Sequence, residues 1–201
     1  MNYFITAIGT DSGKSLFSAI ICEALDADYW KPIQAGYPRD TDYVGGLLSN
    51  LKSELIPEKY VLNTPASPHY AAEIDNIKLE VVDFDIPKTD NDLIIEGAGG
   101  ILVPINKKEY VIDFAQQWEM PVILVANLYL GSINHTLLTV NELNRRGVKV
   151  KGIVFNGPSN PASEDIILQH SGYPCLLRIK EEKEINHAVI RKYAAELKKN
   201  L

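Results

Sequence analysis

The feature that most constrains the fold is the stretch ITAIGTDSGKSLF at residues 5–17. An apolar run at residues 3–8 leads into a small polar loop, and Gly13-Lys14-Ser15 then opens an apolar helical segment. Free backbone N–H groups at a helix N-terminus carry partial positive charge and can surround an anionic phosphate. In such a loop Lys14 reaches the outer phosphates and the Ser15 hydroxyl holds Mg²⁺. The stretch therefore predicts a phosphate-binding loop between a strand and a helix.

The loop departs from the common pattern G-x-x-x-x-G-K-[ST] at its first glycine. That pattern asks for glycine at position 8, which is Ile8, and a loop one residue longer asks for it at position 7, which is Ala7. Gly9 lies inside the loop instead. The alternative interpretation is a glycine-capped turn before an ordinary helix. The order of strand, loop and helix favours the phosphate loop.

Apolar runs of strand length alternate with helical patterns along the whole chain. The strand candidates lie at residues 3–8, 29–33, 93–95, 122–126, 150–155 and 175–179. The helix candidates lie at residues 14–25, 42–51, 111–118, 133–146, 162–170 and 185–197. Continuous apolar strands separated by amphipathic helices predict an α/β fold, a parallel sheet with helices on both faces. Right-handed crossovers place the loops after the strands at one edge, where ligands bind.

Length and composition narrow the class of protein. A chain of 201 residues is expected to form a single domain over 1–201. The net charge of −6 argues against general nucleic-acid binding, which needs a basic surface. No apolar run approaches the ~20 residues that span a bilayer, and no signal sequence is visible, so we expect no membrane partner and a cytoplasmic protein. Cys22 and Cys175 have no metal-site spacing and are expected to be free thiols.

Two strand ends carry charged residues. Lys31 begins KPIQAG after the second apolar run, where its ammonium would project toward the ligand edge; a surface lysine before a turn is the alternative. Glu96 closes the apolar run 93–95 and precedes Gly97-Ala98-Gly99-Gly100. An ionised carboxylate in an apolar layer is costly unless it is paired or bound to metal, so Glu96 is a candidate Mg²⁺ ligand. Asp40 and Asp42 precede a helical pattern, and either helix capping or one Mg²⁺ ligand explains them.

Polar residues follow two later strands. In ANLYLGSINH, Ser132 or Asn134 can cap the next helix, or its free N–H groups can bind a substrate carboxylate. Asn156 follows the run 150–155, and either recognition of a base edge or an Asx turn explains it. His69, in PASPHYAAE, is assigned no catalytic role.

The order of these motifs resembles that of the dethiobiotin synthetase family. The resemblance implies the fold of that family, a P-loop NTPase-like three-layer sandwich. The motifs are ITAIGTDSGKS, KPIQAG, DTD, SPH, IEGAGG, LGSINH and FNGP, and the resemblance runs from the N-terminus to about Pro158. It implies a homodimeric ligase dependent on ATP and Mg²⁺, with the substrate site at the dimer interface. The implied reaction converts 7,8-diaminopelargonic acid, CO₂ and ATP to dethiobiotin, ADP and phosphate. It proceeds through a carbamate and a carbamic-phosphoric anhydride.

Site roles follow from the same resemblance, motif by motif. Catalysis is assigned to Thr10, Lys14 and Lys31, and the metal to Ser15, Asp42 and Glu96. Nucleotide binding is assigned to Asp11, Ser12, Gly13, Lys14, Ser15, Leu16 and Asn156. Substrate binding is assigned to Thr10, Lys31, Ala35, Gly99, Gly131, Ser132, Ile133 and Asn134.

The chain departs from the family pattern at four places. Ala7 replaces a loop glycine, Asp11 stands where the family usually has glutamate, and Ala35 stands where relatives often carry a hydroxyl. The segment RIKEEKEI after Leu177 replaces a loop with Gly and Pro that closes over adenine. The nucleobase preference is therefore left open.

Other nucleotide-binding classes remain as rivals. A partitioning-type ATPase usually has a second lysine near the start of the phosphate loop, and residues 6–12 contain none. A GTPase would carry N-K-x-D after a strand, which is absent. A related amidoligase acting on a larger acid would normally need a glutaminase partner, and no cysteine nucleophile motif is visible.

Overall fold

The computed structural model describes all 201 residues and contains nine strands and seven α-helices. The first half of the chain forms β1 (Tyr3–Ala7), α1 (Lys14–Leu25), β2 (Asp28–Trp30), β3 (Ile33–Ala35), α2 (Asp40–Leu47), β4 (Leu55–Ile56), β5 (Tyr60–Leu62) and α3 (Pro68–Ile74). The second half forms a 3₁₀ turn (Val81–Asp83), β6 (Leu93–Gly100), α4 (Val111–Gln117), β7 (Val122–Asn127), α5 (Ser132–Arg145), β8 (Val150–Asn156), α6 (Pro161–Ser171), β9 (Cys175–Ile179) and α7 (His187–Leu197).

Seven strands form one parallel sheet in the order β4-β2-β6-β1-β7-β8-β9. The first strand, β1, lies in the middle between β6 and β7, and all five of its residues are buried. A small second sheet pairs β3 with β5. Because the strands of the main sheet run the same way, the loops after β1, β2 and β6 meet at one edge.

Helices cover both faces of the sheet. Helices α1, α2 and α7 pack over a cluster of 24 buried residues, which includes Phe17 and Tyr193. Helices α3, α4, α5 and α6 pack over a cluster of 26 buried residues on the other face, which includes Phe114 and Phe155. The predicted three-layer α/β architecture is therefore confirmed.

Local differences from the predicted elements have identifiable causes. The predicted strand 29–33 is divided at Pro32, which has no N–H for a strand ladder; β2 ends at Trp30 and β3 joins the second sheet. Helix α2 begins two residues before the predicted position 42 and ends at Leu47. The two-residue strand β4 and the strand β5 were not predicted, because neither shows a long apolar run.

The longest helix, α5, has 14 residues, and no helix of the chain qualifies as a membrane span.

Candidate active site

The loop between β1 and α1 enters the helix through Gly13, which packs closely against β8. Gly13 precedes the first residue of α1 with φ of 96°, and a Cβ built there would lie 2.3 Å from Asn156 Nδ2. This position therefore requires glycine. Asn156, at the end of β8, donates from Nδ2 to the carbonyl oxygen of Ser12 at 3.0 Å. The loop is thus held from behind by a neighbouring strand, which leaves its other side open.

Lys14 extends over this loop. Its Nζ donates to the carbonyl oxygen of Gly9 at 3.4 Å, and the residue is buried. Burial lowers the pKa of Lys14, and the nearby carboxylate of Glu96 opposes that effect. An anionic phosphate in the loop would stabilise the charged form further.

The carboxylate of Glu96 is the most enclosed charge in the site. Its Oε1 accepts from Ser15 Oγ at 2.8 Å and from Lys31 Nζ at 3.1 Å. Its Oε2 accepts from Ser18 Oγ at 2.8 Å and from Tyr29 OH at 3.0 Å. Only 1% of the residue is exposed, and four donors replace the water that it has lost.

Lys31 lies between two carboxylates. Its ammonium pairs with Glu96 and with Asp40, and the side chain is almost entirely buried. Burial alone would lower the pKa of Lys31, but the two carboxylates outweigh burial and raise it. The two ion pairs therefore favour the charged form of Lys31 at the ligand edge of the sheet.

The acidic residue that joins this group is Asp40, one of the two candidates from the sequence, and not Asp42, to which the family resemblance assigned the metal. Asp40 Oδ1 accepts from Ser15 Oγ at 3.1 Å. Asp42 instead pairs with Arg39 at 2.7 Å, and 60% of its side chain is exposed. Because α2 begins at Asp40, these two residues lie two apart on a helix and point in different directions. Only one of them can face Ser15.

A cavity of about 760 Å³ opens above these groups. The predicted residues that line it are Thr10, Asp11, Gly13, Lys14, Ser15, Leu16, Lys31, Ala35, Glu96 and Gly99. Ser12 is buried within the loop and Asn156 packs behind it. Asp40, one of the two candidates for a Mg²⁺ ligand, also lines it. Further lining residues that the sequence did not single out as ligands are Ile33, Gln34, Pro38, Arg39, Tyr43, Pro65, Ala66, Ser67, Pro68, Ala98 and Val103. For residues 65–68, the two prolines of PASPH were the sequence feature that could have indicated a turn at the cavity.

The predicted carboxylate-binding turn lies outside this cavity. Gly131 has φ of 105° and precedes Ser132, the first residue of α5, but none of residues 131–134 lines the cavity. Four apolar side chains beside this turn and along α5 are exposed. They are Tyr129, Leu130, Ile133 and Leu138, called the α5 patch below.

The site has oxygen ligands for a divalent cation and positively charged groups for a polyphosphate. Ser15 Oγ lies within 3.1 Å of one oxygen of Asp40 and one of Glu96, so three hard oxygen donors converge. Mg²⁺ prefers such oxygens and is commonly held by one or two carboxylates together with phosphate oxygens. The loop N–H groups, Lys14 and Lys31 supply positive charge to the same cavity. The arrangement can align a phosphate chain with a nucleophile and neutralise developing charge.

Comparison with known proteins gives the family. A family model described as an AAA domain matches residues 1–189. A relative from Cytophaga hutchinsonii, named ATP-dependent dethiobiotin synthetase BioD, is 53% identical over 197 residues, which cover 97% of this chain and 96% of the relative. A relative of the same name from Christiangramia forsetii is 47% identical over 202 residues, which cover 100% and 97%.

Solved structures share the fold. A ParA family ATPase from Chlorobium tepidum matches with a TM-score of 0.57 and 12% identity over 99% of this chain and 94% of that one. The septum site-determining protein MinD from Pyrococcus horikoshii, complexed with Mg-ADP, matches with a TM-score of 0.57 and 13% identity over 100% and 93%. At this identity the likeness concerns the P-loop fold alone.

The buried ion pairs of Lys31 lead to a stability prediction. Lys31→Met is expected to cost about 3–5 kcal/mol of unfolding free energy, because Glu96 and Asp40 lose their cation. In the double variant Lys31→Met/Glu96→Gln the cost should be smaller than the sum of the two single costs. Urea denaturation of the two single variants and the double variant measures the three changes in unfolding free energy.

A matched control is Lys52→Met, which removes an exposed pair with Asp26. It is expected to cost about 0–1 kcal/mol. If Lys31→Met costs no more than Lys52→Met, the buried pairs do not have the energetic role given to them.

Proposed function

The chain belongs to the ATP-dependent dethiobiotin synthetase family, and we propose that it converts 7,8-diaminopelargonic acid, CO₂ and ATP to dethiobiotin, ADP and phosphate. One observation supports this most directly: the phosphate loop, Lys31 and two carboxylates meet in one cavity of about 760 Å³. The substrates follow from the name that relatives at 53% and 47% identity carry. It is a ligase reaction, in which ATP hydrolysis drives the formation of a cyclic urea.

The chemistry needs little covalent assistance from the protein. A substrate amine adds to CO₂ and loses a proton, which gives a carbamate. A carbamate oxygen attacks the γ-phosphorus, the bond to the β,γ-bridging oxygen breaks, and ADP leaves. The second amine then attacks the carbamoyl carbon and displaces phosphate as the ring closes. Each step develops negative charge on oxygen, so cationic groups and accurate positioning are the main requirements.

The lysines of the cavity fit these requirements. We assign Lys14 and the N–H groups of Asp11, Ser12, Gly13 and Leu16 to the phosphates. We assign Lys31, whose pKa is raised by Glu96 and Asp40, to the carbamate and the transferring phosphoryl group.

The remaining lining residues are assigned to the diamino acid. Thr10, Ala35 and Gly99 line the same cavity and are proposed to contact it. Asn156 is proposed to contact the base, since it follows β8 beside the loop.

For the metal we propose Ser15, Asp40 and Glu96. Their oxygens converge within 3.1 Å of Ser15 Oγ, whereas Asp42 is engaged with Arg39. Bound Mg²⁺ would neutralise phosphate charge during transfer. Tyr29 and Ser18 hold Glu96 Oε2, so Oε1 is the oxygen that faces Ser15.

We further propose a homodimer in which one copy completes the substrate site of the other. Residues 131–134 do not line the cavity of their own copy, which supports binding of the substrate carboxylate by these residues in the partner's cavity. The adjacent α5 patch provides apolar area for such contact, since Leu130 is fully exposed. We propose that this patch forms an isologous interface in which the turn at Gly131, Ser132, Ile133 and Asn134 reaches the partner's cavity.

The rival classes have less support. The ParA and MinD likeness rests on 12–13% identity and concerns the fold. Residues 6–12 carry no lysine, which the partitioning ATPases usually have in this loop. A partner-switched ATPase is therefore not favoured.

The activity is tested by incubating the protein with Mg-ATP, bicarbonate and 7,8-diaminopelargonic acid and detecting the cyclic urea by mass spectrometry. The wild type should form it. Lys14→Ala should reduce turnover by about a hundredfold or more, because a donor to the transferring phosphoryl group is lost. Circular dichroism should show that this variant is folded. ATP hydrolysis at equal rates with and without the diamine, and no urea, would point to the partitioning class.

Asp40→Asn and Asp42→Asn separate the two candidate metal ligands with the same change of charge on the same helix. We expect Asp40→Asn to raise the Mg²⁺ concentration needed for half-maximal rate by at least about tenfold. Asp42→Asn removes only a pair that is largely exposed and should leave this value almost unchanged. The reverse result would return the ligand role to Asp42.

The dimer proposal is tested with Leu130→Glu, compared with Leu51→Glu as a matched control. Both leucines are fully exposed in one copy, so neither substitution should affect its folding. Leu130→Glu is expected to give monomers in analytical ultracentrifugation and to raise the KM for the diamino acid, since a charge would be buried in the interface. Wild-type protein that sediments as a monomer would refute the proposal.

A further inference from the structure

The side chain of Gln34 joins the metal side of the cavity to the loop that follows β3. Gln34 lies on β3, lines the cavity and is only 5% exposed. No role was assigned to it above. A buried polar side chain beside a charged site must have its hydrogen bonds satisfied, so its partners show what it fixes.

Both ends of the Gln34 amide are used. Nε2 donates to the carbonyl oxygen of Gly36 at 3.0 Å and to that of Pro38 at 3.5 Å. Oε1 accepts from the backbone N–H of Asp40 at 3.1 Å. Because the donors face two carbonyls and the acceptor faces an N–H group, only one orientation of the amide satisfies all three contacts.

The contact with Asp40 replaces a helix cap. Arg39 occupies the N-cap position of α2, and its side chain makes no capping bond, because a guanidinium has only N–H donors and cannot accept from a helix N–H group. It pairs instead with Asp42 and Glu58. The first N–H groups of a helix need an external acceptor. Gln34 supplies this acceptor to Asp40, the first residue of the helix. It therefore fixes the start of α2 relative to β3.

The start of α2 carries the carboxylate that pairs with Lys31 and Ser15. A shift of this helix end would move Asp40 away from both partners. We propose that Gln34 is a positioning residue that places Asp40 for the metal by capping α2. This inference rests on the proposed function, since it assumes that Asp40 is a metal ligand.

The main alternative is that Gln34 contacts the diamino acid directly, because it lines the cavity. The two roles predict different changes. A positioning residue alters the metal requirement and kcat, whereas a substrate contact alters the KM for the diamino acid. Binding of Mn²⁺ in place of Mg²⁺, followed by electron paramagnetic resonance with a non-hydrolysable ATP analogue, reports the metal site without turnover.

Gln34→Met keeps the length of the side chain and removes its donors and acceptor. We expect Mn²⁺ affinity to fall by about tenfold or more, as for other residues that orient a metal ligand, and kcat to fall with it. Gln34→Asn is the second variant: its amide is one methylene shorter and is withdrawn from the Asp40 N–H. The same weakening is expected there, and this variant carries the test if Gln34→Met does not fold.

Gln117→Met is the matched control. The Gln117 amide also donates to two carbonyl oxygens, those of Val81 at 3.0 Å and Phe84 at 3.3 Å, but it lies outside the cavity. This variant should lower the melting temperature and leave Mn²⁺ affinity and the KM unchanged.

The outcomes are separable. Wild-type Mn²⁺ affinity in both Gln34 variants overturns the inference, and so does a rise in the KM for the diamino acid alone. If the wild type forms no cyclic urea while the Gln34 variants still lose Mn²⁺ affinity, the proposed function fails and the positioning role stands.

Discussion

The buried carboxylate of Glu96 is the interaction on which the arrangement of the site depends. Ionised carboxylate in an apolar layer is costly, and here the cost is offset by donors from α1, β2 and the residue after it. Ser15, Ser18, Tyr29 and Lys31 must therefore all approach one point on β6. The phosphate loop and the segment that carries Lys31 are drawn together by this requirement, so the same contacts that stabilise the fold also assemble the cavity.

The two lysines of the cavity differ in what balances their charge. Lys31 is neutralised within the protein by Asp40 and Glu96, which raise its pKa. Lys14 has only a backbone carbonyl at 3.4 Å, and burial lowers its pKa. Lys14 therefore lacks a close anionic partner, and a phosphate chain is the natural one. The two carboxylates favour the charged form of Lys31 before any ligand binds, which suits a group that stabilises a carbamate.

Much of the fold and of the candidate site could be predicted from the sequence, because the informative residues lie at the ends of continuous apolar strands. The central strands, the phosphate loop and the clustering of Lys31 with Glu96 followed from that pattern. The choice between Asp40 and Asp42 did not, since it depends on where α2 begins. That point is set by Gln34, six residues earlier and on another element. Hydrogen bonds between elements leave no periodic signal, so neither the cap nor the short strand β4 could be predicted.

The position of the 131–134 turn links substrate recognition to assembly. The cavity of one copy contains Lys14 and Lys31 beside the phosphate loop, and its third cation, Arg39, is already paired with Asp42 and Glu58. The free N–H groups of α5 do not line this cavity. A diamino acid has amines at one end and a carboxylate at the other, so both ends must be bound for the amines to reach the γ-phosphate. If the carboxylate binds to the partner's α5, the distance between the two sites in the dimer selects substrates of matching length. The exposed leucine at position 130 would then serve catalysis indirectly, by fixing the distance between two ends of one site.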